Sequence, residues 1–85
     1  IALDNIYPNP VNSTAVIKFQ LPEKTQVQLN LIDIKGRTVS KLIDSELDAG
    51  YQSYNLHLED NSSGVYFVQM KSGKFNQIKK FILLK

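Results

Sequence analysis

Cysteine and tryptophan are absent from this 85-residue chain, and histidine and methionine each occur once. Without cysteine there is no disulfide framework, no thiolate zinc site and no thiol nucleophile. His57 is the only side chain whose unperturbed pKa lies near neutrality, so a serine–histidine–carboxylate centre would have to be built around it. No nucleophile-elbow motif is present, and the alternation of its segment sets His57 beside Ser53 and Asn55 on a polar strand face. It reads as a surface histidine. The four glycines are isolated turn residues, so no glycine-rich phosphate loop exists, and calcium loops of the Asp-x-Asp-x-Asn type are missing. Glu59-Asp60 and the pair Asp44 and Glu46 are placed in or near turns, where carboxylates are ordinarily solvated. These absences predict a domain with no catalytic centre, no cofactor and no metal.

Long apolar runs are missing as well. Nothing approaches the roughly 18 residues of a transmembrane helix, and Ile1-Ala2-Leu3-Asp4 is neither a basic leader nor a signal-peptide core. The lack of an initiating methionine predicts a chain cut from something longer. Apolar residues make up 42% of the chain, under the roughly 45–50% of an average globular protein, which points to one thin two-layer domain over residues 1–85.

Acidic residues are absent from one stretch in particular. All eight lie in residues 1–60, against Lys18, Lys24, Lys35, Arg37 and Lys41, a net of −3. Residues 61–85 carry Lys71, Lys74, Lys79, Lys80 and Lys85 with no acid, a net of +5. Lysines that protect a strand edge account for such a tail; a nucleic-acid or membrane-surface patch is the competing reading. Phe67-Val68-Gln69-Met70 touches the end of the RNA-recognition sheet motif, but Ser63-Gly64-Val65 lacks the basic residue that motif needs upstream. Lys79 and Lys80, adjacent in a strand, also point to opposite faces. No nucleic-acid partner is expected.

What the chain does contain is frequent punctuation and short alternating segments. Pro8-Asn9-Pro10, Leu21-Pro22-Glu23, Lys35-Gly36, Asp48-Ala49-Gly50, Asn61-Ser62-Ser63-Gly64 and Ser72-Gly73 mark turns. Between them Ala15, Ile17, Phe19 and Leu21 share one face, as do Val27, Leu29 and Leu31, then Tyr54, Leu56 and Leu58, then Tyr66, Val68 and Met70. That period of two predicts half-buried strands. A first strand is placed at 2–7, ended by the two prolines. Val39, Leu42, Ile43 and Leu47 fall at helical spacing, yet the turn at Gly36 favours a strand over 37–43. The last segment, Phe75 to Leu84, is apolar on both faces at its end, where Phe81 and Leu83 oppose Ile82 and Leu84. Such a strand is either enclosed or waiting for a partner. The sum is an all-β domain: about seven antiparallel strands in two sheets, a β-sandwich.

Three blocks carry a resemblance to a known family. Tyr7-Pro8-Asn9-Pro10-Val11-Asn12, the strand to Leu21 and then Pro22 resemble the opening block of the type IX secretion C-terminal sorting domain of type A. Val27 to Arg37, with Asp33 and Gly36, is similar to its central block. Gly64-Val65-Tyr66-Phe67, the Gly73 hairpin and Lys79-Lys80-Phe81-Ile82-Leu83-Leu84-Lys85 resemble its closing block. Val11, Ile32 and Lys35 depart from the residues usual in the family, as packing substitutions within sheet or turn.

The resemblance implies an immunoglobulin-like β-sandwich that serves as a secretion signal on an N-terminally fused cargo in Bacteroidota-type Gram-negative bacteria. It implies transit through the periplasm, passage through the type IX outer-membrane translocon, and removal by a surface sortase at or just before Ile1. The cargo would then be secreted or held at the cell surface. Gly36 and Gly64 are candidates for positive φ or close backbone approach, and Tyr66 for a buried tyrosine near a strand corner. Lys79, Lys80, Phe81, Ile82, Leu83, Leu84 and Lys85 form the candidate recognition segment, either as a pairing strand or as a basic-apolar patch. The alternative is an accessory sandwich that binds carbohydrate or acts as a spacer. Its stacking aromatics would be Tyr51, Tyr54, Phe67 and Phe75, which are scattered along the chain.

Overall fold

From Thr14 to Leu21 every second residue, Ala15, Ile17, Phe19 and Leu21, is buried, and the residues between them turn outward, as a strand covered on one face requires. The computed structural model describes residues 1–85 and forms seven strands with no helix. They are β1 (Ala2–Leu3), β2 (Thr14–Leu21), β3 (Thr25–Asp33), β4 (Thr38–Leu47), β5 (Gly50–His57), β6 (Gly64–Ser72) and β7 (Phe75–Leu83).

A small sheet runs in the order β1-β2-β5 and a larger one in the order β4-β3-β6-β7, with every strand pair antiparallel. The links β2–β3, β4–β5 and β5–β6 cross between sheets, while β3–β4 and β6–β7 are hairpins. The inner faces enclose one cluster of buried side chains, among which Val11, Ile17, Leu29, Leu58, Val68, Met70, Phe81 and Leu83 are fully covered. The expected immunoglobulin-like sandwich of two antiparallel sheets is therefore the fold. It is thin, 37 × 22 × 17 Å, as the modest apolar content predicts.

Two strands differ from expectation. β4 was expected over 37–43 and runs from Thr38 to Leu47. Leu29 faces Ile43 but Asn30 faces Lys41, and Leu31 faces Ser40 but Ile32 faces Thr38. Leu42 and Val39 are thus extra residues in two bulges, each of which offsets the alternation by one. That offset gives a strand the apparent spacing of a helix. Asp44 and Glu46 consequently lie inside β4, opposite Gln28 and Gln26, rather than in turns. The Gln26 amide donates to Asp44 Oδ1 at 3.1 Å, and Lys24 Nζ stands 3.6 Å from Glu46.

The strand expected over 2–7 is interrupted. Leu3 pairs with Phe19 and Tyr7 with Val16, so the first segment takes four steps where β2 takes three. The surplus breaks the ladder, and Ile6 turns into the core.

Candidate recognition surface

Pro8 and Pro10 have no N–H to give a ladder, and the chain uses that interruption to change sheets. Tyr7 exchanges backbone hydrogen bonds with Val16 of the small sheet. Four residues later the Val11 amide donates to the Ile82 carbonyl at 2.7 Å, and the Leu84 amide donates to the Val11 carbonyl at 2.8 Å. The Ile82 amide donates to Asn9 Oδ1 at 3.0 Å. Both Tyr7-Pro8 and Asn9-Pro10 peptides are cis. The opening block is thereby a clasp that joins the small sheet to the end of β7 and covers part of that strand's outer edge.

The central block makes the β3–β4 turn. Asp33 Oδ1 accepts from the amides of Lys35 and Arg37, each at 2.9 Å, and Oδ2 accepts from Arg37 Nε at 2.9 Å. Gly36, at φ +83°, supplies the left-handed residue that closes the turn. The Arg37 amide is the chief cause holding the Asp33 carboxyl below its ordinary range. Partial desolvation opposes it, and the Arg37 side chain and Lys35 amide add to it.

In the closing block Gly64 also has positive φ and opens β6, and Gly73 makes the β6–β7 hairpin. Tyr66 points inward, stacks on Phe81 with ring centroids 5.8 Å apart, and donates its hydroxyl to the Ser62 carbonyl at 2.7 Å. This ties the β5–β6 corner to the last strand.

The seven residues of the terminal segment divide. Phe81 and Leu83 are wholly buried in the core. Lys79 is half-buried at the core side of β7, beside a cleft of about 500 Å³ that includes Leu3, Asp4 and Tyr7. Lys80, Ile82, Leu84 and Lys85 are exposed. The Lys85 amide donates to Ser63 Oγ at 3.0 Å and its ammonium donates to the Glu59 carbonyl.

Lys80 does not stand alone. Ile32 of β3 lies directly opposite Phe67 of β6, which lies directly opposite Lys80 of β7, so the three side chains share the outer face of the larger sheet. Ile78 and Ile82 flank Lys80 on its own strand, 51% and 41% exposed, and Val65 pairs with Ile82. Ile34, 67% exposed, completes a shallow groove of about 380 Å³ with Ile32, Gly36, Phe67, Gln69 and Ile78. Sequence reasoning did not join Ile32, Ile34, Phe67 and Ile78 to the terminal segment. Their signal was an apolar residue at an outward position of three strands that the topology makes neighbours.

The remaining candidates are dispersed. His57 is exposed on the small sheet's outer face, with Nδ1 3.6 Å from Glu59. Tyr51 is on that same face, Phe67 on the opposite outer face, and Tyr54 and Phe75 pack against the core, so the four form no stacking row. No group of three or more histidine or acidic side chains gathers as a metal site. No helix is long and apolar enough to cross a membrane.

No curated protein matches the chain. The profile of the secretion system C-terminal sorting domain matches residues 5–84, which takes in the opening clasp, the Asp33 turn and the closing strand. That family is one of sorting signals rather than enzymes; membership implies fusion to an exported cargo, recognition by the type IX system and a secreted or cell-surface fate. With essentially its whole length matched in this way, the chain belongs to the type IX secretion C-terminal sorting domain family.

Proposed function

We propose that residues 1–85 form one sorting domain at the C-terminal end of a larger cargo. The cargo crosses the periplasm, passes the type IX outer-membrane translocon by virtue of this domain, and is then separated from it by a surface sortase. The domain performs no catalysis and is a substrate at each step. The observation that carries the reading is the family match over residues 5–84 on a chain whose opening and closing blocks are hydrogen-bonded to each other. The signal is therefore a folded module, not a linear tail. Of the terminal segment, Lys80, Ile82, Leu84 and Lys85 are available to a partner, while Phe81 and Leu83 hold the fold that presents them.

The test is transplantation. Residues 1–85 are fused behind a periplasmic reporter in a strain with a type IX system, and in a matched strain without one. Reporter outside the cell in the first strain alone supports the reading. Reporter kept in the periplasm behind an intact, folded domain refutes it. Release of the reporter free of the domain, lost when the sortase is deleted, is the outcome expected for the removal step.

A further inference from the structure

The two outer faces of this sandwich differ in a way that solvent exposure does not explain. The small sheet shows water Thr14, Lys18, Gln20, Ser53, Asn55 and His57, the polar set expected of an uncovered antiparallel sheet, with Val16 and Tyr51 the exceptions. The larger sheet follows the same rule at one end, where Gln26, Gln28, Asp44 and Glu46 face outward. At its other end the rule fails. Ile32, Val65, Phe67, Ile78 and Ile82 occupy outward positions, with Gln69 opposite Ile78 and Asn30 opposite Gln69 as the polar exceptions; Ile34 overhangs the apolar residues, and the charged Lys80 is set among them. Ile34, Ile78 and Ile82 are exposed and Ile32, Val65 and Phe67 half-buried, and contiguous apolar surface left open in this way marks an interaction site.

Charge narrows what can cover it. The Lys80 stem lies between Ile78 and Ile82 and opposite Phe67, so a partner seated on the face removes water from around the ammonium. An ion covered without a counter-charge is strongly unfavourable. Residues 61–85 offer no acid, and Asp33, at the near end of β3, is already committed to Arg37. The counter-charge must come from outside. A second copy docked symmetrically on the same patch would bring two Lys80 ammonium groups together with no carboxylate to meet them, so it is a poor occupant.

From this we infer that the apolar half of the β4-β3-β6-β7 face is the docking surface of the domain, and that its occupant is a protein of the export machinery presenting apolar side chains around a carboxylate that pairs with Lys80. The inference rests on the sorting reading above and names the partner's chemistry. It also places recognition on a sheet face rather than along the β7 edge, part of which Asn9 and Val11 already cover.

The experiment uses the reporter fusion with the series Lys80→Arg, Lys80→Gln and Lys80→Glu, then Ile78→Thr with Ile34→Thr, and Lys18→Glu on the polar small-sheet face as control. Threonine keeps the β-branch that suits a strand. Export is expected to be unchanged for Lys80→Arg and Lys18→Glu. It is expected to fall on the order of tenfold for the threonine pair and Lys80→Gln, and further for Lys80→Glu, which sets like charges together. Melting temperatures of the purified domains are expected to stay with the parent. Retention of the parent fusion in the periplasm overturns the sorting reading itself. Export of the parent with unaffected threonine and Lys80→Glu variants overturns only this face. Export losses that follow lowered melting temperatures overturn it too, as does full export of Lys80→Gln for the carboxylate. Self-association of the purified domain, or its binding to anionic phospholipid vesicles, abolished by Lys80→Glu assigns the face to a second copy or a membrane and likewise refutes the inference.

Discussion

Val11 and Leu83 lie side by side in a parallel bridge, both fully buried, in a fold whose strand pairs are otherwise antiparallel. The bridge unites the first motif of the sequence with the last. A defect in either motif therefore acts on the same structure, and loss of export alone does not tell recognition from folding.

Neighbouring residues of β7 separate the two effects. Leu83→Ala empties a core site and is expected to cost about 2–5 kcal/mol, read as a lower urea midpoint. Ile82→Thr, on the exposed face, is expected to cost about 0.5 kcal/mol or less. Removal of Phe81 to Lys85 takes two fully buried side chains out of the core, and the expected far-UV circular dichroism is that of an unfolded chain.

Tyr66 links the β5–β6 corner to Phe81 through its ring and to Ser62 through its hydroxyl. Tyr66→Phe keeps the stacking and leaves the Ser62 carbonyl without this donor, with an expected loss of about 0.5–1.5 kcal/mol. Chemical denaturation of the two proteins side by side measures it.

The Asp33 turn predicts a pH dependence. A carboxyl whose pKa falls on folding adds stability above its unfolded value of about 3.9. That stability is lost as the pH drops through the lowered folded value. Asp33 is such a group. Melting temperatures of the parent are expected to fall on acidification through this window more steeply than those of Asp33→Asn. A parallel fall in both proteins would remove Asp33 as the source.

Gly36 tests the turn independently. At φ +83° an added Cβ meets no neighbouring atom but strains the backbone, so Gly36→Ala is expected to cost roughly 1–2 kcal/mol. The loss shows as a melting temperature lower by about 4–8 °C for each kcal/mol in a domain of this size.

Most of the fold was legible because one physical rule, burial on one face, operates cleanly in β2, β5 and β6. It was obscured where that rule is locally suspended. The surplus residues Val39 and Leu42 gave β4 a helical rhythm, and the shortened β4 that resulted put Asp44 and Glu46 in or near a turn instead of inside the strand. The first segment deceived for a related reason: it belongs to the small sheet up to Tyr7 and to the larger sheet at Val11. The two-faced end of β7 announced an outward apolar surface. Its extent was hidden, because Ile32 and Phe67 look like minor breaks in alternation until β3, β6 and β7 are set next to one another.

The bulges in β4 bear on how the module behaves in a crowd. β4 is the longest strand and has one side unpaired, the kind of edge on which a second chain can add and from which aggregates grow. Two bulges twist that edge away from the straight geometry such addition needs, and the clasp at Val11 obstructs the far end of β7 on the other side of the sheet. Copies of the domain at high concentration can thus stay separate, leaving the apolar face free for a partner rather than for one another.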